Sequence, residues 1–164
     1  MNGVCLRSAQ EADFEAIVRL NEAEVQHTSV MDLERLRHLD RLSCYHKVAS
    51  MEGTIAAFLL AMPHDAPYAS ENFLWFVARH SMFVYVDRIV VASSFGGNKL
   101  GSLLYTDLFA YARANGVPMI TCEYNVIPPN EPSRRFHDKF GFKEVGTQWV
   151  SNRTKLVSLQ VSMT

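Results

Sequence analysis

Between Phe83 and Ala112 the chain reads FVYVDRIVVASSFGGNKLGSLLYTDLFAYA, which describes a strand, a glycine turn and a helix in succession. From Phe83 to Val91 almost every residue is aromatic or β-branched, as in a strand buried on both faces, and only Asp87 and Arg88 interrupt it. The turn Phe95-Gly96-Gly97-Asn98 calls for backbone angles that glycine adopts without steric penalty, and it predicts a helix opening with Lys99, Leu100, Gly101 and Ser102. The first N–H groups of a helix lack intrahelical acceptors and the macrodipole adds partial positive charge, so phosphate is a natural ligand there. Lys99 adds a full charge. By themselves the same residues also describe an ordinary strand-to-helix corner. They match neither the Walker pattern GxxxxGK followed by Ser or Thr nor the dinucleotide pattern GxGxxG.

The rest of the chain reads as α+β. Val4 to Arg7 is a short first strand, and Glu11 and Asp13 sit near a helix start where negative charge favours the dipole. Phe14, Ile17 and Val18 form an apolar stripe that Asn21 shares, so Asn21 either makes a buried contact or points into a cleft. Asp32 to Leu42 is a second amphipathic helix, with Leu33, Leu36 and Leu39 recurring and Arg37 and His38 facing water. Tyr45–Met51 and Thr54–Met62 flank Glu52-Gly53, the signature of a tight hairpin. Residues 63–81 carry prolines and the aromatics Phe73, Trp75 and Phe76, too apolar for disorder and too long for a plain connection. Leu100, Leu103, Leu104, Leu108 and Tyr111 give the long helix its inner face, which ends at Asn115-Gly116. A buried strand follows over Met119–Asn125, then Val126-Ile127-Pro128-Pro129, and a short helix from Asn130. Lys143–Val150 and Lys155–Val161 read as a closing hairpin around Ser151-Asn152.

Charge and cysteine usage narrow the function classes. Lys and Arg total 16 against 17 Asp and Glu, which gives no reason to expect a nucleic-acid or membrane surface. Cys5, Cys44 and Cys122 are widely spaced without a CxxC, so neither a disulfide framework nor a metal cluster is suggested. With no apolar run of signal-peptide or membrane-spanning length, the reading is a cytoplasmic protein of one domain, residues 1–164.

Joined to the tail of the chain, the glycine turn resembles the GNAT superfamily of N-acetyltransferases. In that family an apolar-x-Val strand end leads through a Tyr-Arg-Gly-x-Gly-x-Gly turn into a leucine-rich helix; here Ile89 and Val91 precede Phe95-Gly96-Gly97-Asn98-Lys99-Leu100-Gly101. The family's later pattern of asparagine, small residue, aromatic and Gly-Phe is matched by Asn130, Ser133, His137 and Gly141-Phe142. Gly96 replaces the motif's arginine, Lys99 its middle glycine, and His137 the tyrosine that often serves as general acid.

The resemblance implies a central, mostly antiparallel mixed sheet of about seven strands, the fourth and fifth parallel and splayed, flanked by about four helices. It implies acetyl-CoA as cofactor and transfer of acetyl to a primary amine of a small molecule or peptide by direct attack in a ternary complex. Main-chain groups of Ile89, Val90 and Val91 would pair with the pantetheine arm like an added strand. Gly96, Gly97, Asn98, Lys99, Leu100, Gly101 and Ser102 would hold the pyrophosphate. Asn130, with Asn125 and Ser133, would bond the arm from its other side, Phe136 and His137 would pack along it, and Lys139 would approach the outer phosphate.

Transfer requires that an ammonium lose its proton before attack and that the thiolate leave. Period-two alternation puts Phe83, Tyr85, Asp87, Ile89 and Val91 on one strand face and Met119, Thr121, Glu123 and Asn125 on another; the resemblance, in which the fourth and fifth strands splay where cofactor and acceptor meet, implies Glu123 as the first candidate base and Asp87 as the second. His137 is read as the acid or as a cofactor contact. Asn21, Tyr68, Asn72, Phe73, Trp75 and Tyr85 are assigned to the acceptor pocket, against the reading that the aromatics cover the core or a homodimer contact. Cys122 alternates away from Glu123, which disfavours a covalent relay. The alternative function is a CoA-binding sensor or structural module without catalysis, prompted by Gly96, Lys99 and His137; an interaction domain using the Phe73–Phe76 aromatics would not respond to CoA.

Overall fold

The computed structural model describes residues 3–24 and 28–164. Its strands are β1 (Val4–Ser8), β2 (Tyr45–Met51), β3 (Thr54–Pro63), β4 (Val84–Val91), β5 (Met119–Ile127), β6 (Lys143–Val150) and β7 (Lys155–Met163). Its helices are α1 (Phe14–Ala23), α2 (Leu33–Leu42), α3 (Glu71–Val77), α4 (Leu100–Ala114) and α5 (Glu131–Lys139). The strands hydrogen-bond in the order β1-β2-β3-β4-β5-β7-β6. β4 and β5 run parallel, joined through Val84↔Ile120 and Tyr85↔Thr121, whereas β1-β2, β2-β3, β5-β7 and β6-β7 are antiparallel. This is the mixed sheet anticipated from the sequence. The chain forms two compact units, one running to Met62 and including Val86–Leu108, the other made of Pro63–Tyr85 and Phe109–Thr164.

In the first unit, Glu52 (φ 51°) and Gly53 (φ 78°) are both left-handed, the backbone sense that matches the twist of a two-residue hairpin. Phe14 and Ile17 of α1 and Leu36 and Leu39 of α2 are buried, and Asp32 caps α2 by accepting the Arg35 N–H at 2.7 Å. Asp107 of α4 accepts from the Tyr45 hydroxyl at 2.7 Å and from Lys47 Nζ at 2.6 Å, which fastens the helix to β2. The expected inner face of α4 needs correction: Leu103 is 38% exposed, and Tyr105 is buried beside Leu100, Leu104 and Leu108. A step of 100° per residue from Leu104 and Leu108 brings Tyr105, and not Leu103, under the helix.

In the second unit, the segment 63–81, to which the sequence assigns no element, contains α3. Its Phe73 and Phe76 are fully buried, packing against Phe83 and Tyr85 with ring centroids 5.6–6.1 Å apart. Burial of each ring is worth about 1.5–3 kcal/mol, enough to fold a short helix that propensity alone would not hold. α4 ends at left-handed Gly116 (φ 68°), with the Val117 N–H returning to the Ala112 carbonyl at 2.9 Å. β5 continues beyond Asn125 to Ile127, and β7 beyond Val161 to Met163. The β6–β7 connection takes left-handed geometry at Ser151, Asn152 and Arg153, one residue more than the dipeptide turn expected.

Candidate active site

The first unit carries the strand-turn-helix corner. After β4, Ser93–Phe95 form a 3-10 turn, Gly97 (φ 84°) and Lys99 (φ 58°) are left-handed, and α4 starts at Leu100. Lys99 therefore precedes the helix and does not form part of its first turn; its carbonyl accepts the Leu103 N–H at 3.0 Å. The Gly96 N–H is donated to the Ser93 carbonyl at 3.1 Å, which withdraws that amide from the expected anion cradle. The Asn98 side chain donates to the Phe95 carbonyl at 2.9 Å and fixes the loop from within. A hollow of about 470 Å³ lies at the end of β4, bordered by Arg19, Leu20, Ile55, Val91, Ser93 and Ser94. Arg19, a cation on this hollow, was not singled out by sequence because nothing in its local pattern tells which strand end α1 faces.

Two further candidates in this unit are structural. Asp87 is held by Arg88 Nε at 2.7 Å, with side chains 5% and 4% exposed, so the second candidate base is engaged in a buried ion pair. Asn21 is wholly buried: its Oδ1 accepts from Arg88 Nη1 at 3.0 Å and from the Thr28 hydroxyl at 3.1 Å, and its Nδ2 donates to the Ser29 carbonyl at 2.9 Å. Its amide is thereby committed to the protein, and the assignment to an acceptor pocket is corrected.

The second unit carries the acid-base candidates. Glu123 is half-buried on β5, and the Tyr85 hydroxyl lies 2.8 Å from each of its carboxylate oxygens. The register sets Tyr85 opposite Thr121 and Leu159 opposite Glu123, so Tyr85, Thr121, Glu123 and Leu159 share one sheet face. Further along that face are Asn125, Val157 and Gln148 in one row, and Gln148 Nε2 donates to Asn72 Oδ1 of α3 at 3.0 Å. Trp75 lies against Gly146, where a Cβ would meet its ring at 2.5 Å. Phe73 and Tyr68 pack into the core, with 1% and 8% exposure, and Asn72 and Trp75 are half-buried. Tyr85, 1% exposed, stands behind the Glu123 carboxylate. Cys122 is buried on the opposite sheet face, opposite Gln160.

His137 is buried on α5. It is 4% exposed among the rings of Tyr124, Phe136 and Phe142, and its Nδ1 lies 2.7 Å from the Ser133 carbonyl. Burial lowers its pKa below the usual histidine value, against the opposing pull of that carbonyl. The contact from Nδ1 to the backbone holds the buried ring in one orientation. Asn130 caps α5 by accepting the Ser133 N–H at 3.3 Å, so its Oδ1 is engaged, while Lys139 is exposed on the last turn. Among the described residues no cluster of His, Cys, Asp and Glu is built to hold a metal, and no helix is long and apolar enough to cross a membrane.

The parallel β4/β5 pair, the glycine corner before α4 and the capped α5 with its Gly141-Phe142 exit define an acetyltransferase-type scaffold. Residues 8–142 match the Acetyltransferase (GNAT) family, and the chain belongs to that family. It is 33% identical over 105 residues to phosphinothricin N-acetyltransferase of Streptomyces coelicolor, a match covering 55% of this chain and 60% of that protein's length. In fold it is similar to Ard1 of Thermoplasma volcanium (TM-score 0.80, 14% identity, 98% of this chain and 97% of that one). It is also similar to YncA of Salmonella typhimurium, solved with its cofactor acetyl-CoA (TM-score 0.72, 19% identity, 98% and 94% covered).

Proposed function

We propose that this chain transfers an acetyl group from acetyl-CoA to a primary amine by direct attack in a ternary complex, with Glu123 accepting the amine's proton. The observation that carries the proposal is the half-buried Glu123 carboxylate held on its sheet face by a buried phenol. A primary ammonium has a pKa of about 10.4 and is protonated at neutral pH, so it attracts a carboxylate electrostatically and must surrender a proton before it can act as a nucleophile. Glu123 meets both needs, directly or through one water. The amide groups of Asn125, Gln148 and Asn72 on the same face offer neutral hydrogen-bonding partners to the remainder of the acceptor.

The corner before α4 fits a diphosphate. Left-handed turns at Gly97 and Lys99 lead into a helix whose first-turn amides, from Leu100, Gly101 and Ser102, face the dipole's positive end, and Lys99 and Arg19 supply cations in the same unit. Gly97, Asn98, Lys99, Leu100, Gly101 and Ser102 would hold the pyrophosphate, and the main chain of Ile89, Val90 and Val91 the pantetheine arm. Asn125, Asn130, Ser133 and Phe136 are the further candidate contacts. Acetyl-CoA, when bound, supplies the acyl group as an activated thioester. The relative from Streptomyces coelicolor makes phosphinothricin a first acceptor to try.

The test pairs a thermal shift on adding CoA with thiol release from acetyl-CoA, using phosphinothricin and an alanine-initiated peptide as amines. Stabilisation by CoA, acceptor-dependent thiol release and a fall of about 10²–10⁴-fold in kcat for Glu123→Gln are expected. CoA binding without thiol release for any amine would instead favour the non-catalytic module, and full activity of Glu123→Gln would remove Glu123 as the base.

A further inference from the structure

We infer that Tyr85 is a positioning residue for Glu123, holding its carboxylate ionised and fixing which oxygen lone pairs are turned toward the acceptor; this rests on the reading of Glu123 as proton acceptor. The Tyr85 hydroxyl is 2.8 Å from Oε1 and 2.8 Å from Oε2. A phenol has a single hydrogen, so equal distances describe one hydrogen shared between two acceptors, with the carboxylate facing the phenol squarely. The ring has little freedom to do otherwise. It is 1% exposed and packs against Phe73 and Phe76, with centroids at 5.6 and 6.1 Å. A hydroxyl carried to that depth needs an acceptor, and Glu123 supplies it.

Sheet geometry explains why these two residues meet. Tyr85 is opposite Thr121 in the parallel pair, and Glu123 lies two residues further along the same face of β5, within reach of a side chain leaning along its strand. On that face Glu123 is flanked by Thr121, Asn125 and Leu159. Donation to the ionised form of a carboxylate favours that form. The contact also suits a group that must accept a proton: when one oxygen takes the amine's hydrogen, the phenol hydrogen settles on the other, with no heavy atom displaced.

The decisive measurement is the ¹³C titration of the Glu123 carboxyl carbon in the full chain, followed in the unaltered protein, in Tyr85→Phe and with 3-fluorotyrosine placed at position 85. Phenylalanine keeps the ring and deletes the hydroxyl, so the carboxyl pKa should rise by about one unit; the more acidic fluorinated phenol is a stronger donor and should lower it. A carboxyl titration unmoved by either change overturns the inference, and the fluorinated protein gives that answer even should the phenylalanine variant fold poorly. Thiol release from acetyl-CoA with phosphinothricin should show its acidic limb displaced in the same directions, with the KM for acetyl-CoA unchanged. A carboxyl pKa that moves while the limb stays fixed leaves Tyr85's hold on Glu123 standing and overturns Glu123 as the proton acceptor.

Discussion

Arg88 pairs with Asp87, its own neighbour in sequence, through Nε at 2.7 Å, although successive residues of a strand point to opposite faces. The guanidinium goes on to reach Asn21, the Ser29 carbonyl at 3.1 Å and the Ser29 hydroxyl at 2.9 Å, so one buried cation binds β4 to the segment after α1. Removing one member of such a group leaves the others desolvated and unpaired. Arg88→Ala should therefore lose about 3–5 kcal/mol in urea denaturation, and Asp87→Leu/Arg88→Met, which removes both charges, should lose much less.

At Lys99, the left-handed backbone (φ 58°) costs a non-glycine residue roughly 1 kcal/mol. Lys99→Gly should raise the melting temperature of the cofactor-free protein by a few degrees, about 2–4 °C per kcal/mol for a chain of this length. The same change removes the ammonium proposed to face the pyrophosphate. The added stability on mixing with CoA should shrink, and the salt dependence of binding should flatten. A protein stabilised in both forms alike would remove Lys99 from the binding loop.

Gly146 is the point where the Trp75 ring comes down on β6. A methyl group there would sit 2.5 Å from Cζ2 and 3.0 Å from Cη2 of an indole already packed against Phe76 and under the Arg79 guanidinium. Overpacking of this kind costs about 1–3 kcal/mol. Gly146→Ala should be destabilising by that amount in the unaltered background and nearly neutral once Trp75→Leu has cleared the space, a coupling that a double-mutant cycle measures directly.

Acid stability follows from two buried imidazoles. Burial lowers the pKa of His46 despite Asp40 at 2.7 Å, and lowers that of His137 despite the Ser133 carbonyl. The unfolded chain takes up protons at these residues near pH 6.5 and the folded chain resists, so their contribution is present above that pH and is lost as pH falls through it. Each such group gives a slope of up to about 1.4 kcal/mol per pH unit. Urea-derived stability should be flat above about pH 7.5 and decline toward pH 5, and His137→Phe should remove part of the decline. Asp13, whose pKa is lowered chiefly by its bond from Arg7, acts in the same sense but below about pH 4.

Much of the architecture was legible because local pattern and tertiary demand agree: the Glu52-Gly53 hairpin, the alternating strands, the Gly116 stop and the Asn130 cap each follow from the backbone preferences of a few neighbouring residues. α3 was hidden because its reason to exist is distant in sequence, namely Phe83 and Tyr85, against which Phe73 and Phe76 pack. The site was legible in part for the same reason. Alternation placed Tyr85 and Glu123 on strand faces without saying that parallel register would bring phenol to carboxylate. It likewise did not reveal that His137 is sealed among rings, since burial is a property of the assembled fold. Asn21 shows the converse: a polar residue on an apolar stripe has two explanations, and only its partners, Arg88, Thr28 and Ser29, choose between them.

Cys122 lies on the far side of the sheet from Glu123, at 2% exposure, while Cys5 is exposed. A chromogenic disulfide reagent added to count liberated CoA will therefore meet an enzyme background dominated by Cys5, at a residue far along the chain from the proposed chemistry. Serine at position 5 would silence most of that signal, so the colour that develops could be credited to turnover, and alkylating the surface thiol beforehand would serve equally well for a protein kept in its original sequence.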